Sequence, residues 1–553
     1  MMAAKAEECD SETTSEQPAV SYKIIIIGAG IAGLSAAHHL VKGGETNFKI
    51  LEARDRIGGR ILSVPVGDEE VEFGAHWIHG VLGNPIYELA VENGLVEITT
   101  DQDPHRVVAT TEDGKRVPIS LIEEVYSAYF WFTKRCEEYF LLHLHTPPQI
   151  DSVGKHLEMD IGAYLQQYQG DEAITRRMVF DHLLSKETCI TGCHSMDETS
   201  LSDFGSYTEL PGGNIEIPGG FHQVIDFLAD ILPKDSVRLQ SEVKSIKWKM
   251  KKIEDEAAKN DNSAASKVKK VEDEAAAIRD NGAAVKINKT ENEAIKNDNG
   301  SSEIVIECED GTRLQANHVI VTLPLGVLKA KAVDLFHPKL PEYKLECIEN
   351  LGFGAVNKIY LQYDRPFLNA DISEVITLWK RTEESDMSKI WFRKIYSFRR
   401  YAENILLAWI AGREAEYLET LSEEQVANTC TEILRKFLKD PYIPKPIKVA
   451  CTSWKSHPFS RGSYTYLRVK ASQRDIELLA NPIYTNPYHS KPALMFAGEA
   501  THPSFYSTSH GAFLTGKKCA EILLEPDSDN KPDGKKKCID KDLSSWIRGI
   551  DLS

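Results

Sequence analysis

The run KIIIIGAGIAGLSAAHHL, Lys23 to Leu40, constrains the fold of this chain more than any other stretch. Four isoleucines lead into Gly28, Gly30 and Gly33, and an alanine-rich segment follows. Such a short apolar run marks a buried parallel strand. The pattern predicts a strand over 22–27, a helix over 31–42 that stops at Gly43-Gly44, and a second strand over 48–51. This is the βαβ unit of a dinucleotide-binding fold. Gly28 permits the tight turn, Gly30 lets the backbone approach a pyrophosphate, and Gly33 lets helix pack on strand. Ala32 lies in the first helical turn, where free N–H groups and the positive dipole end meet phosphate. Glu52, at the end of the second strand, is placed to accept hydrogen bonds from ribose hydroxyls and disfavours a 2′-phosphate.

A lone glycine motif is weak evidence, and the next residues sharpen it. EARDRIGGR, Glu52 to Arg60, adds Arg54 and the group Gly58-Gly59-Arg60. A second glycine pair with an arginine suits a longer, bent dinucleotide that needs another close backbone approach and a cation. FAD fits that description better than NAD.

The bulk numbers set outer limits. A chain of 553 residues exceeds one ordinary core, so at least two domains are expected. A formal charge of −18 argues against nucleic acid and is compatible with a cationic ligand. No apolar run is long enough for a membrane span. The ten cysteines form no regular framework, so reduced thiols are expected. Cys189, Cys193 and His194 lack a second ligand pair, so no metal is expected there. The acidic start and the final GIDLS carry neither a secretory signal nor a Ser-Lys-Leu address.

LIEEVYSAYFWFTKRCEEYFLLHL, a long aromatic helix, is read as core. From Lys249 the composition changes to Ala, Asn, Lys and acids, with a loose repeat of KKIEDEA, KKVEDEA and NKTENEA. This segment, 249–302, is expected to be a mobile insert lengthening one hairpin turn between EVKSIKW and SEIVIECED. Beyond it, GAVNKIYLQYD alternates as a strand, LSEEQVANTCTEILRKFL reads as an amphipathic helix, and ALMFAGEA as a last buried strand leading into the helix SHGAFLTGKKCAEILL.

LEARDRIGGR, GAHWIHG (74–80), FSRGSYTYL (459–467) and FAGEATHPSFYSTSHGAFLTG (496–516) together resemble the flavin-dependent amine oxidases. Among these the chain is most similar to the animal polyamine oxidases, which include spermine oxidases and N1-acetylpolyamine oxidases. HSMDETSLSDFG (194–205) and YIPKP (442–446) add to the likeness, which spans about Lys23 to Leu524 apart from the insert. The resemblance implies that flavin takes two electrons from a neutral amine, that the imine is hydrolysed, and that oxygen gives hydrogen peroxide.

It also implies roles for single residues. Lys358, otherwise a plain surface lysine, matches the lysine that holds a water beside flavin N5. Ala75, His76 and Trp77 match a loop touching the flavin, and His79 faces substrate. Tyr464 matches one aromatic wall of the substrate cage, and Thr508 stands where monoamine and plant polyamine oxidases carry the second. Ser463 replaces the cysteine that links flavin covalently in monoamine oxidases, so the FAD is expected to be noncovalent. Trp454 is expected against the flavin, Glu499 at the ribityl chain, and Ser507 and Thr508 at the pyrimidine end. Val243 is an adenine contact or plain core, and Glu209 an acidic partner for a distal ammonium or a solvated carboxylate. Ala512, Gly516 and Ala520 form a small-residue stripe expected under the cofactor.

The expected fold is α/β: a Rossmann-like FAD-binding domain built from 22–95, 215–328 and 480–525, and an α+β substrate domain of mixed sheet and flanking helices from 96–214 and 329–479. Residues 1–21 are expected as a disordered tail and 526–553 as a polar tail. The favoured activity is oxidation of spermine at a secondary amine, with N1-acetylpolyamine oxidation as the near rival. A non-catalytic FAD scaffold, an NAD-linked dehydrogenase and a lysine demethylase are the remoter ones. Expected partners are a polyamine and oxygen, with neither nucleic acid nor membrane; the expected state is a monomer in the cytoplasm, the nucleus not excluded.

Overall fold

The computed structural model describes residues 20–96, 106–249, 304–485 and 491–526. The expected tail to residue 19, the insert from residue 250 and the tail from 527 lie outside the described residues. Two sheets organise the rest. The larger has eight strands, and its centre is parallel: Val237–Arg238, Phe48–Leu51, Val20–Ile27 and Arg313–Val321 lie side by side. Beyond Arg313–Val321 the sheet forks. Its final residues pair in parallel with Leu494–Phe496, and its first half pairs antiparallel with Ile304–Cys308. Ile304–Cys308 then pairs with Val243–Lys247, so the strands on either side of the insert are hydrogen-bonded neighbours.

The isoleucine run explains why this sheet forms. Ile24 and Ile26 point into one core with the helices Ile31–Lys42 and Ser509–Leu524, while Ile25 and Ile27 point into another with Leu325–Leu335 and Gln473–Ala480. With both faces covered, every second residue need not be polar, and each buried isoleucine contributes roughly 1.5–3 kcal/mol. The predicted helix over 31–42 and strand over 48–51 form with those bounds, and the first strand begins at Val20, two residues before its predicted start.

The second sheet has six strands in the order Lys448–Cys451, Val356–Gln362, Ile405–Ala411, Ser397–Ala402, Ile372–Leu378, Arg106–Thr111. The alternation read in GAVNKIYLQYD holds: Ile359 and Leu361 pack on the helix Glu423–Leu438, whereas Val356 and Tyr360 join Val71 and Trp409 on the other face. Helices Ile119–Leu141, Val153–Leu165 and Gly170–Thr191 form a further layer.

Three packing details differ from the sequence reading. Residues 329–351 and 467–479, read with the substrate segment, contribute Phe336, Ile348, Leu467 and Ile476 to the core of the large sheet. The aromatic helix buries one stripe, Ile122, Val125, Tyr129 and Cys136, and leaves Phe130 51% and Trp131 63% exposed. Its apolar content exceeds the width of the face it buries. The stripe Ala512, Gly516, Ala520 packs mainly on another helix: a Cβ on Gly516 would lie 2.0 Å from the carbonyl oxygen of Ala32.

Candidate active site

At the carboxyl end of the first strand, Gly28 adopts φ +106°, which L side chains rarely do. A Cβ on Gly33 would lie 2.0 Å from Gly28 O, so helix and turn touch through backbone. A Cβ on Gly30 would meet nothing within 4 Å, because that position opens onto a cavity. Gly30 is also the N-cap of Ile31–Lys42, and no side chain caps that helix. Its first-turn amides are therefore available to an anion. Glu52 accepts from the amides of Ala29 (2.7 Å) and Arg54 (2.9 Å), which fixes its carboxylate beside the turn.

The second glycine pair sits on the first motif. The Gly58 amide donates to Ala29 O (2.8 Å), and a Cβ on Gly59 would be 3.3 Å from the Cα of Gly30. Arg54 is buried beside Ser460 (2.6 Å), and its Nε has no partner among the described residues. Arg60 donates to Ser463 O (2.7 Å) and to Glu499 (2.8 Å). Glu499 also accepts from the hydroxyl and amide of Thr465 and the amide of Ser507, each at 3.2 Å. It ties the end of the last strand to the strand Tyr464–Tyr466 and lines the cavity at the same time.

This cavity measures ≈1840 Å³ and is continuous. Its wall includes Gly28, Gly30, Ala32, Glu52 and Val243, together with Arg54, Gly58, Gly59 and Arg60, and also Ala75–Trp77, Lys358, Trp454, Ser463, Ser507 and Thr508. His79, Glu209 and Tyr464 line the same space. Every site residue named from the sequence except Gly33, which acts through packing, thus lines one space. The uncapped helix end, the unpartnered Arg54 Nε and the volume of the cavity fit an extended dinucleotide.

Lys358 is 8% exposed and donates to the carbonyl oxygens of Glu72 (2.7 Å) and Gly74 (2.8 Å). Burial pulls its ammonium down to about 7, while the carboxylates of Glu72 and Glu216 pull back. Trp454 Nε1 donates to Phe73 O (3.1 Å), fixing the indole at the cavity wall. Ser463 Oγ accepts from Val356 N and donates to Val356 O, both at 2.9 Å. Thr508 caps Ser509–Leu524 by accepting from Gly511 N (3.0 Å), so that helix also begins at the cavity.

His79 donates from Nδ1 to Asn214 Oδ1 (2.9 Å), and burial lowers its pKa. His76 stacks on Trp77 with centroids 4.1 Å apart, and burial followed by the Lys358 charge pulls it down to about 2, so it is neutral. Tyr464 donates its hydroxyl to Cys189 O. Cys189 and Cys193 are buried free thiols, both pushed up to about 12 by burial.

Sequence reasoning missed four wall residues. Trp409 lies directly across the sheet from Lys358 and stacks between Trp77 (5.8 Å) and Tyr396 (6.1 Å). Glu216 accepts from Trp77 Nε1 (2.9 Å) and lies 3.5 Å from His76 Nε2. Asn214 orients His79. The strand pairing that brings 356–362 beside 405–411, and 77–79 beside 214–216, leaves no local signal in the sequence.

The family model described as flavin-containing amine oxidoreductase matches residues 31–278 and 269–524. The chain belongs to this family. Its cofactor is FAD. The chain is 34% identical over 529 residues to the human peroxisomal N(1)-acetyl-spermine/spermidine oxidase, covering 91% of this chain and 94% of that protein. It is 29% identical to polyamine oxidase 1 of Oryza sativa subsp. japonica, covering 91% and 97%. Among solved structures, a wild-type putrescine oxidase bound to putrescine shares the fold, with a TM-score of 0.60 and 17% identity over 92% of this chain and all of the other. Within this flavin amine oxidase, the cofactor supplies a two-electron acceptor, and the chain supplies the site that holds and orients it.

Proposed function

We propose that this flavin amine oxidase oxidises polyamines at a secondary amine, with spermine preferred and oxygen as acceptor, giving spermidine, an aminoaldehyde and hydrogen peroxide. The observation that carries the reading is the placement of buried Lys358 in one cavity with the glycine-rich cradle and with Trp77, Trp409, Tyr396 and Tyr464. Aromatic faces suit an amine on its way to the cofactor. The same cavity is lined by Glu187, Glu209, Glu216 and Glu374, acidic groups that suit a chain with several ammonium centres.

In this reading Gly28, Gly30, Ala32, Gly33 and Glu52 hold the adenosine and pyrophosphate half, with Val243 at the adenine. Arg54, Gly59 and Arg60 complete the pyrophosphate site. Ala75, His76, Trp77, Trp454, Glu499, Ser507 and Thr508 hold the flavin half, without a covalent link because Ser463 has no thiol. His79, kept neutral by burial, accepts a hydrogen bond from the substrate nitrogen and helps it lose its proton. Lys358 positions the water that hydrolyses the imine. Tyr464 and Thr508 bound the reacting segment, and Glu209 receives a distal ammonium.

A second reading, N1-acetylpolyamine oxidation, draws on the 34% identity to the human protein. Anaerobic flavin bleaching against spermine, spermidine, N1-acetylspermine and putrescine decides between them. Fastest bleaching by spermine is expected; fastest bleaching by N1-acetylspermine favours the second reading, and no bleaching by any of them favours a non-catalytic scaffold. The same proposal places the enzyme in the cytoplasm as a monomer, to be checked by cell fractionation and light scattering.

A further inference from the structure

The inner face of the six-stranded sheet carries a guanidinium that the fold leaves almost without partners. Arg399, on Ser397–Ala402, lies in register between Glu374 on one neighbouring strand and Leu407 on the other. Leu407 and Trp409 share one face of their strand, and Trp409 is directly opposite Lys358. Arg399 and Lys358 are therefore two strands apart, about 10 Å across the sheet. Both line the cavity.

The guanidinium lies over the Trp77 ring, 5.8 Å from its centroid, and Trp77 stacks on Trp409. Its only hydrogen bond among the described residues runs from Nη2 to Glu216 Oε1 at 3.5 Å, the long limit of such a bond. That oxygen already accepts from Trp77 Nε1 at 2.9 Å. Arg400, the next residue, shows the contrast: it donates to the carbonyl oxygens of Leu368, Asn369 and Ala370. A guanidinium is a planar fork of donors with no acceptor, and one lying on an indole keeps its edge N–H groups free. The Arg399 side chain is 43% exposed, so a ligand in the cavity can meet that edge.

We propose that Arg399 is a specificity-determining residue of the substrate site: its guanidinium donates to the carbonyl oxygen of an N-acylated polyamine end and disfavours a free ammonium in the same place. The proposal rests on the reading of the cavity as a polyamine site. A protonated polyamine nitrogen is a donor with a positive charge, which the carboxylates of Glu209, Glu216 and Glu374 match. Acylation removes that charge and supplies an oxygen acceptor, so Arg399 gains from the change what the carboxylates lose. In an acylated aminopropyl end the carbonyl oxygen is roughly 7 Å from the secondary nitrogen when the chain is extended. With that nitrogen beside Lys358, the arginine side chain covers the remaining distance. The acidic groups keep spermine a substrate, and Arg399 narrows its lead over an acylated chain.

Anaerobic flavin reduction by spermine and by N1-acetylspermine, followed over a range of concentrations in wild-type holoenzyme, Arg399→Met and Arg399→Lys, tests this. Methionine keeps an apolar contact with Trp77 and removes the charge and the donors; lysine keeps the charge and loses the fork. In Arg399→Met the apparent Kd for N1-acetylspermine should rise about tenfold, while that for spermine falls. The change should appear in Kd rather than in the limiting rate of reduction, because the guanidinium acts on the bound end and not on the reacting bond. The gain for spermine should shrink in high salt, which screens the charge. In Arg399→Lys, which retains the charge, spermine should not gain. Equal shifts for both substrates in Arg399→Met, or no shift in their ratio, overturns the proposal. Loss of FAD from Arg399→Met would assign the guanidinium to the cofactor and overturn it as well. Where no polyamine bleaches the flavin, calorimetric titration of the two ligands into the same proteins reads the same ratio. A shifted ratio there supports the role of Arg399 and overturns the substrate reading instead.

Discussion

Two glycines three residues apart carry different loads, and single methyl groups separate them. Gly30→Ala places its Cβ in open space, so the fold should keep its thermal midpoint, while the methyl intrudes on the proposed pyrophosphate site. We expect a folded, pale protein with FAD affinity reduced at least about tenfold, read by flavin absorbance after gel filtration. Gly33→Ala forces a carbon to within 2.0 Å of Gly28 O, so it should lower the midpoint itself. Lys358 offers a test with a sign. Its pKa falls from the ordinary 10.5 to about 7 on folding. Between those values the unfolded chain binds a proton that the folded chain does not, so this residue's contribution makes stability rise with pH across that window. Lys344 adds in the same sense: it is fully buried on the carbonyls of Leu478, Leu479 and Asn481 and also lowered to about 7. Lys358→Met should flatten the alkaline rise of the melting temperature between about pH 7 and 10 and slow steady-state turnover of spermine about a hundredfold. An unchanged rise would remove the case for a desolvated lysine.

Elements show what periodicity can and cannot carry. The βαβ unit was legible because a doubly covered strand, a tight turn and a helix start each leave a local mark, and the helix Glu423–Leu438 because its amphipathic pattern runs from an acidic first turn to a basic last turn. The aromatic helix Ile119–Leu141 was misread because side-chain type sets how much apolar surface exists, not how much of it finds a partner. Trp409 and Glu216 stayed invisible because strand pairing across about fifty to a hundred and forty residues is set by whole-sheet packing. The contact between Ile31–Lys42 and Ser509–Leu524 lies between these cases: the small residues were visible, their partner was not. It predicts that Gly516→Val, driving carbon into Ala32 O, separates the two helices, costs about 1–3 kcal/mol or more, and releases FAD. Ser422→Ala, which removes a capping box far from the cavity, should cost about 1 kcal/mol and leave flavin content untouched. Denaturant melts and flavin absorbance on the same two variants separate the outcomes.

At the scale of the whole molecule, the site exists because two sheets meet across one cavity. The large sheet brings the cradle, and the small one brings Lys358 and Trp409 on its inner face. This architecture places a strong condition on the segment 250–303. The strands before and after it are hydrogen-bonded in register, with Lys247 opposite Val305 and Ile246 opposite Ile306. Both strands lie toward the far edge of the large sheet, where Val243 lines the cavity at the place proposed for adenine and Ile246 and Ile306 are fully buried in the core. A hairpin needs only a few residues to join such a pair. If the segment does no more than close that hairpin, replacing it with a four-residue turn should leave FAD content and spermine turnover unchanged. Stability should rise by about 2 kcal/mol, because loop-closure entropy grows with the logarithm of loop length. A shortened chain that melts lower, or that binds FAD with altered affinity, would mean that the segment packs on the body of the protein. The proposed adenine site beside Val243 would then be the place to look for its contacts, and a turnover loss without FAD loss would point instead to the substrate site.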